Sequence, residues 1–261
     1  MTDRVTVRVE GGVADVRLNR PEKRNALDAE MFHALIEAGK RLCQEREVRA
    51  VVLSGEGLAF SAGLDFRSLL GQGGGGLLAR EEGSLANRAQ RAAFVWQEVP
   101  VPVIAAVHGV AFGGGLQIAL GADIRYAAPD AQLSIMEIKW GLVPDMSGTQ
   151  TLRRLVRLDV AKELTFTGRI ISGTEAERLG LVTRVVESPR EAALEAARDI
   201  AGRAPDAIRA AKALLNASGL SSLSEGLALE EKYQRSLLGG VNQTEAVMAN
   251  MEKRAPVFRD P

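Results

Sequence analysis

The sequence has few of the residues that build metal, redox or nucleophilic sites. Its 261 residues include one cysteine, Cys43, and two histidines, His33 and His108. One cysteine cannot form an internal disulfide, and Cys43 lies on the apolar side of an expected helix, where a small buried thiol is the ordinary occupant. The histidines have no other ligand residues at suitable spacing, so we expect no metal. No G-x-S-x-G segment is present, which argues against a hydrolase nucleophile elbow.

The sequence also lacks an excess of either charge. Its 33 basic residues equal its 33 acidic residues, so no long-range field attracts nucleic acid or an anionic membrane. The first residues, MTDRVTVRVE, contain no apolar run typical of a signal peptide or a membrane span. We therefore expect a cytoplasmic protein without a nucleic-acid or membrane partner. Its hydrophobic fraction of 46% is sufficient for one sizeable core.

Strand and helix patterns alternate along most of the chain, which predicts an α/β fold. Alternating valines around the glycines at 11 and 12 indicate an N-terminal hairpin, and Asp28 is expected to cap the first helix. Ser172 or Thr174 can cap a later helix that Gly180 ends. Further strands are expected at 49–55, 102–109, DIRYAA, AQLSIM and LVTRVVE, and further helices at 80–99 and at about 114–120.

From Ser188 onward the pattern is helical, with breaks near Pro205, Gly219 and Gly240. We divide the chain into a core, residues 1–195, and a helical C-terminal segment, residues 196–261.

Two turns that contain glycine follow buried strands. VAFGGGLQIALGAD (110–123) places Gly113–Gly115 before an apolar helix, and FSAGLDF (60–66) follows the strand at 49–55. Glycine lets another group approach the backbone closely, although tight packing between strand and helix explains it equally well. If both turns lie at one sheet edge, an N–H from each can bind one oxygen, which is how an oxyanion hole is built.

A third glycine-rich stretch, GQGGGG at 71–76, matches the spacing of dinucleotide-binding turns. Its context does not fit such a turn, because FRSLL precedes it instead of a buried strand. We predict a flexible surface loop.

Two carboxylates stand out. Glu137 interrupts the apolar stretch LSIMEIKWGLVPD and Asp145 ends it. In a dry pocket either group would have a raised pKa suited to proton transfer. Structural roles explain them equally well, with Glu137 in a cap or a salt bridge and Asp145 as the N-cap of the helix that follows.

Four motifs occur in an order that resembles a known superfamily. NRPEKRNAL (19–27), GEGLAFSAGLDF (55–66), the long stretch at 105–155 and EAERLGLVTRVV (175–186) resemble the crotonase, or enoyl-CoA hydratase/isomerase, superfamily. The match covers nearly the whole chain. The resemblance implies a spiral of ββα units, a helical C-terminal segment that forms a homotrimer or a dimer of trimers, an acyl-CoA substrate, and no metal or redox cofactor.

The resemblance also implies the roles of individual residues. The backbone N–H groups of Leu64 and Gly114 would form the oxyanion hole. Phe258 and Arg259 would complete the nucleotide site of a neighbouring subunit. The coenzyme A portion of the substrate would contact Lys23, Arg24, Ala26, Ala62 and Asp65.

At two positions the sequence departs from the usual hydratase pattern. Gln117 stands where those enzymes have the first of two glutamates, Glu137 is the second, and Asp145 replaces a glycine. A glutamine orients a molecule by hydrogen bonds but does not take a proton from water. An acid at position 145 resembles dienoyl-CoA isomerases, so we favour movement of a double bond, with Glu137 and Asp145 passing the proton and Gln117 positioning the substrate. The alternatives are a hydratase that uses Glu137 alone and a catalytically silent acyl-CoA-binding protein.

Overall fold

A computed structural model describes residues 3–71, 74–80 and 82–261 of the chain. The described strands form two sheets, with the orders β1-β2-β3-β4-β6-β9 and β5-β7-β8. Their bounds are β1 Val5–Glu10, β2 Val13–Leu18, β3 Ala50–Gly55, β4 Val103–Val107, β5 Val110–Phe112, β6 Ile124–Ala127, β7 Gln132–Ser134, β8 Ile171–Ser172 and β9 Arg184–Val185. In the larger sheet β1 pairs with β2 antiparallel, and the other neighbours pair parallel.

Eleven α-helices lie in the described ranges. Their bounds are α1 Ala29–Gln44, α2 Phe66–Gly71, α3 Arg88–Glu98, α4 Gly114–Leu120, α5 Gly148–Leu155, α6 Leu158–Thr167, α7 Gly173–Leu179, α8 Pro189–Ala201, α9 Pro205–Ser218, α10 Leu223–Leu237 and α11 Val241–Glu252. The predicted caps are confirmed, because Asp28 accepts from the Met31 amide and Ser172 from the Glu175 amide. Gly180 ends α7 with a left-handed φ of 90°.

Successive strand pairs follow one plan. β4 lies in the larger sheet, β5 in the smaller sheet, and α4 follows. β6 and β7 repeat this division before the 3-10 turn Glu137–Trp140 and α5. In each of these two repeats, a strand of the smaller sheet therefore ends where a helical segment begins.

The central strands β3 and β4 of the larger sheet are buried on both faces. Val51 and Leu53 of β3 share one cluster with Phe32 of α1 and Trp96 of α3. Val52, from the opposite face of the same strand, lies in a second cluster with alanines of α8. Strands covered by helices on both faces read as continuous apolar runs, which is why β3 and β4 are recognisable in the sequence.

The helix expected over 80–99 is shorter than predicted. Arg88 begins α3, and Asn87 and Gln90 form a capping box in which each side chain accepts the other residue's amide. Gly83 has a φ of +74°, a left-handed conformation that a helix cannot contain. The reciprocal hydrogen bonds between Asn87 and Gln90 therefore fix the start of α3 at Arg88.

The predicted flexible loop at 71–76 falls partly outside the described residues, because Gln72 and Gly73 are not among them. Gly71 ends α2, and Gly74–Leu78 forms a 3-10 turn.

The boundary expected between residues 195 and 196 lies inside α8, and α8 packs on the sheet through Ala193, Ala197 and Ala201. The helical segment that leaves the core therefore begins after Ala201. No helix in the described part of the chain is long and apolar enough to cross a membrane.

A buried cation joins the C-terminal helices to the core. Lys212 of α9 donates to the carbonyl oxygens of Trp96 and Val101, at 3.1 and 3.0 Å, and pairs with Asp123 at 2.7 Å. By contrast, α10 has no buried residue in this chain by itself.

Candidate active site

The two glycine turns lie side by side. The amide of Ser61 donates to the carbonyl oxygen of Val110, and the amide of Phe112 donates to that of Ser61, both at 3.0 Å. On its other side the first turn is bound to the segment before α1, because Leu27 donates to Gly63 and Asp65 donates to Leu27. Three separate parts of the sequence are thus joined by backbone bonds.

Leu64 and Gly114, the predicted oxyanion pair, both border one small cavity. Among the described hydrogen bonds, neither amide has an acceptor. Gly114 is the first residue of α4, so its N–H has no partner inside the helix. A methyl group built on Gly63, next to Leu64, would lie 3.9 Å from the Gly114 nitrogen. Two donors without partners therefore lie at the edge of one space.

The glycines of both turns are required by close contacts. A Cβ on Gly63 would lie 2.6 Å from the carbonyl oxygen of Phe112, and one on Gly115 would lie 2.6 Å from Cβ of Ser61. Gly113 has a φ of +49°, and its Cβ would lie 3.2 Å from Oε1 of Glu137. The interpretation as tight packing is therefore confirmed, and this packing is what brings the two turns together.

The cavity between the turns has a volume of about 90 Å³. Its lining is mainly apolar, and the rings of Phe66 and Trp140 stack with centroids 4.4 Å apart at its rim. The remaining lining residues are Ala62, Gly63, Leu64, Phe112, Gly113, Gly114, Met136, Glu137 and Leu142. Sequence reasoning missed the apolar rim, because Phe66 belongs to one motif and Met136 and Trp140 belong to another that lies far from it in sequence.

Glu137 is the ionisable side chain among these lining residues. It begins the 3-10 turn that follows β7 and is 7% exposed. Burial raises the pKa of Glu137, hydrogen bonds from the backbone and from Gln117 offset part of this increase, and the charge of Asp145 adds a smaller increase. Its Oε2 is buried and has no hydrogen-bond partner within residues 3–71, 74–80 and 82–261. A carboxyl with a raised pKa and a free oxygen is suited to take up and release a proton.

Gln117, in the middle of α4, contacts Glu137 directly. Its Nε2 donates to Oε1 of Glu137 at 2.6 Å. Its Oε1 accepts from the amides of Met146 and Gly148, at 2.9 and 3.0 Å. The structure therefore places the predicted substrate-positioning residue between Glu137 and the segment after Asp145.

Asp145 directly precedes Met146 in the sequence and is exposed. Although Asp145 reaches solvent, the protein atoms around its carboxyl desolvate it in part and raise its pKa. It forms no ion pair within the described ranges, and its charge acts on Glu137. Asp145 is not the helix cap that we considered, because Ser147 occupies the N-cap position of α5.

The predicted coenzyme A residues surround the first turn. Lys23 and Arg24 are exposed, whereas Ala26 and Ala62 are half-buried. The amide of Ala62 donates to the carbonyl oxygen of Arg24 at 2.8 Å, which joins the two segments. Both cations therefore stand in solvent beside the turn, where a phosphate can reach them.

Asp65, the fifth of these residues, pairs with Arg20. Their ion pair measures 2.9 Å, and Arg20 also donates to the carbonyl oxygen of Ala26. Burial opposes the charge on Asp65, but hydrogen bonds from Arg20 and the Ser68 amide outweigh it and lower the pKa of Asp65. Arg20 was missed from the sequence, although it lies in the same NRPEKRNAL motif.

The other candidate residues lie away from the cavity. His33 is exposed on α1, and His108 is hydrogen-bonded to the carbonyl oxygen of Gly57 at 2.9 Å. Cys43 is half-buried against the core. The backbone of Phe258 and Arg259 is bound within the chain, by Arg49 and Asn242.

The arrangement of free amides, cavity and buried carboxyl fits the acyl-CoA enzymes that the motifs resemble. A family model described as enoyl-CoA hydratase/isomerase matches residues 8–261. The chain belongs to the enoyl-CoA hydratase/isomerase family and has its crotonase fold, and it is an acyl-CoA enzyme.

Similar proteins agree with this assignment. A probable enoyl-CoA hydratase of Rhizobium meliloti is 38% identical over 97% of this chain and 96% of its own. The mitochondrial methylglutaconyl-CoA hydratase of Mus musculus is 32% identical over 95% of this chain and 80% of its own. The crystal structure of an enoyl-CoA hydratase from Bacillus anthracis matches with a TM-score of 0.89 and 32% identity, covering 98% of each chain.

Proposed function

We propose that the protein moves the double bond of an unsaturated acyl-CoA by proton transfer through a thioester enolate. The observation that carries this proposal is the position of Glu137, which lines the cavity that Leu64 and Gly114 border and whose buried Oε2 has no hydrogen-bond partner among the described residues. Asp145 supplies a second carboxyl without an ion pair in the described part of the chain. Gln117 stands in place of the first glutamate of the usual hydratases and does not act as a base.

In the proposed reaction Glu137 takes a proton from C2 of a 3-enoyl-CoA. The electron pair of that C–H bond forms the C1–C2 double bond, and the carbonyl π pair moves to the oxygen, which the amides of Leu64 and Gly114 bind. Each such donor contributes roughly 2.7 to 4 kcal/mol to the transition state. Asp145 then gives a proton to C4, the carbonyl reforms, and the double bond lies between C2 and C3. Proton exchange with water returns both carboxyls to their starting states.

The cavity lining supports an acyl group that is apolar near the thioester. Phe66, Trp140 and Leu142 border the cavity, and its ionisable lining residue is Glu137. The exposed Lys23 and Arg24 beside the first turn support binding of the coenzyme A phosphates outside the cavity.

A panel of acyl-CoA substrates tests the proposal. The wild-type protein and Asp145→Asn are incubated with 3-enoyl-, 3,5-dienoyl- and 2-enoyl-CoA of equal chain length, and the products are separated by chromatography. We expect double-bond movement to exceed hydration, and Asp145→Asn to lose it by about 10²-fold or more. Fast hydration that survives Asp145→Asn would reject the isomerase assignment.

Hydration of a 2-enoyl-CoA is the second candidate function. The names of the similar proteins favour it, since the relatives from Rhizobium meliloti and Mus musculus are both named hydratases. In this case Glu137 alone would activate the water. The same panel separates the two reactions, because only hydration produces a 3-hydroxyacyl-CoA.

We also propose that the protein acts as a homotrimer or a dimer of trimers in the cytoplasm. The support for the assembly is the C-terminal segment, where Leu223 is 80% and Met251 76% exposed and α10 has no buried residue. Light scattering on the purified protein tests the assembly, since a mass of one chain would contradict it.

A further inference from the structure

The orientation of the Gln117 carboxamide is determined by its surroundings. The amides of Met146 and Gly148 are donors that cannot accept, so the atom that lies 2.9 and 3.0 Å from them is the oxygen. The nitrogen is therefore the atom that lies 2.6 Å from Oε1 of Glu137. Gln117 is 1% exposed, which leaves no solvent to replace these partners. A Cβ on Gly148 would lie 2.5 Å from the Gln117 oxygen. Because glycine has no Cβ, the amide of Gly148 can approach that oxygen and donate to it.

The direction of this bond makes the two oxygens of Glu137 unequal. An N–H group only donates, so Oε1 must accept from Gln117 and is a poor position for a proton. Oε2 is buried and has no partner among the described residues. A proton taken by Glu137 therefore binds Oε2.

We propose that Gln117 is a positioning residue that holds Oε1 of Glu137 as an acceptor and so makes Oε2 the atom that exchanges protons with substrate. The proposal rests on the proposed proton transfer by Glu137. Gln117 also fixes the backbone directly after Asp145, so one carboxamide sets the position of both acids.

A glutamate at position 117 would act differently. It could still accept from Met146 and Gly148, but its second oxygen would meet Oε1 of Glu137 without a proton to donate. Two carboxylates at that distance share one proton, and the pKa of one of them rises strongly. The charge of Asp145 already raises the pKa of Glu137. A further acid at position 117 would raise it again, so Glu137 would take up a proton more easily and release it less easily.

Two variants test this role. Gln117→Met keeps the length of the side chain and removes the donor, whereas Gln117→Glu keeps the acceptor for Met146 and Gly148 and adds a charge. The ionisation of Glu137 is followed by infrared spectroscopy of its carboxyl band against Glu137→Gln, and kcat and KM are measured against pH with the acyl-CoA that the wild-type protein converts.

We expect both variants to raise the pH at which Glu137 ionises, Gln117→Glu by more. We expect kcat to fall by between about tenfold and about 10⁴-fold, the upper figure being the whole contribution of a general base, while KM changes by less than about threefold. If Gln117→Met fails to fold, Gln117→Glu still gives the comparison, since it satisfies both backbone amides.

The matched control is Asn216→Asp, which changes another side-chain amide, half-buried, that donates to the carbonyl oxygen of Gln97. It is expected to leave the Glu137 titration and kcat unchanged. An unchanged Glu137 titration in both Gln117 variants overturns the inference, whatever the reaction is. A changed titration in a wild-type protein that converts no member of the panel supports the role of Gln117 and counts against the proposed function instead.

Discussion

Ser61 and Ala111 form a parallel β-bridge that joins the two glycine turns. The bridge attaches the first turn to the smaller sheet, because Ala111 is the middle residue of β5. It sets the distance between the amides of Leu64 and Gly114, which lie three residues beyond each bridge partner. Backbone geometry, and not a side chain, therefore determines whether the two donors reach one oxygen.

Replacement of Gly63 by alanine tests this geometry. Gly63 has a φ of +84°, and its Cβ would lie 2.6 Å from the carbonyl oxygen of Phe112, so the first turn must move away from the second. We expect kcat/KM to fall by about 10²- to 10³-fold, the loss of one oxyanion donor. The control is Gly11→Ala, with a φ of +58° and open space around it, which costs roughly 1–2 kcal/mol of stability and leaves kcat/KM unchanged. Equal losses in both variants would contradict the account.

Replacement of Glu137 by glutamine should reduce activity and increase stability. The folded state binds the Glu137 proton more tightly than the unfolded state, because the pKa of Glu137 is raised from 4.5. Its ionisation therefore destabilises the fold as pH rises above 4.5, by about 1.4 kcal/mol for each pKa unit of the shift. We expect Glu137→Gln to unfold at higher urea concentration than wild type at pH 7 and at the same concentration below pH 4.5, and kcat to fall by about 10²- to 10⁴-fold.

Glu98→Gln is the control for this substitution. Burial also raises the pKa of Glu98, but it lies at the end of α3 beside Arg91, away from the cavity. The activity of the Glu98→Gln protein should equal that of wild type. A Glu137→Gln protein with normal turnover would contradict the role of Glu137.

Replacement of Asp145 by asparagine should change the pH dependence of the remaining activity. The negative charge of Asp145 raises the pKa of Glu137, so its removal lowers that pKa. The acid limb of kcat/KM should then move to lower pH. Asp159→Asn, which removes an exposed acid paired with Arg157, should leave the limb where it is. An acid limb that moves to higher pH in Asp145→Asn would contradict the interaction.

Replacement of Trp140 by alanine should change the choice of acyl group. Trp140 borders a cavity of about 90 Å³ and stacks on Phe66, so its removal opens the rim. We expect kcat/KM for branched or aromatic acyl groups to increase about tenfold relative to a four-carbon group. Phe166→Ala, which removes a ring that is 69% exposed on α6, should not change the preference. An unchanged preference in Trp140→Ala would remove Trp140 from the acyl site.

The elements that the sequence predicted correctly are those that neighbouring residues in the chain determine. The bounds of α4, the Asp28 cap and the end of α7 at Gly180 depend on residues within one turn of chain. The smaller sheet was not predicted as a sheet, because β5 has three residues and β8 has two, too few for a periodic pattern. Its pairing comes from residues far apart in sequence, such as Leu133 with Ile171.

The same distinction applies to the site. The resemblance located Leu64 and Gly114, and the apolar stretch around Glu137 and Asp145 had already made these two acids candidates. The structure places Leu64, Gly114 and Glu137 around one cavity. The bond of Gln117 to Glu137 joins residues 20 apart, and its bonds to the backbone at 146 and 148 join residues 29 and 31 apart. Such contacts depend on the packing of α4 against two other segments. A local sequence pattern does not predict that packing.

Exchange of substrate protons with deuterium oxide tests the central claim most directly. A 3-enoyl-CoA is incubated with the protein in deuterium oxide, and proton NMR follows the signals of C2 and C4. We expect wild type to incorporate deuterium at these carbons, and Glu137→Gln to do so at least about 10²-fold more slowly. If wild type leaves both positions protonated at stoichiometric concentration, or if Glu137→Gln exchanges them as fast as wild type, Glu137 does not transfer protons to a bound thioester enolate.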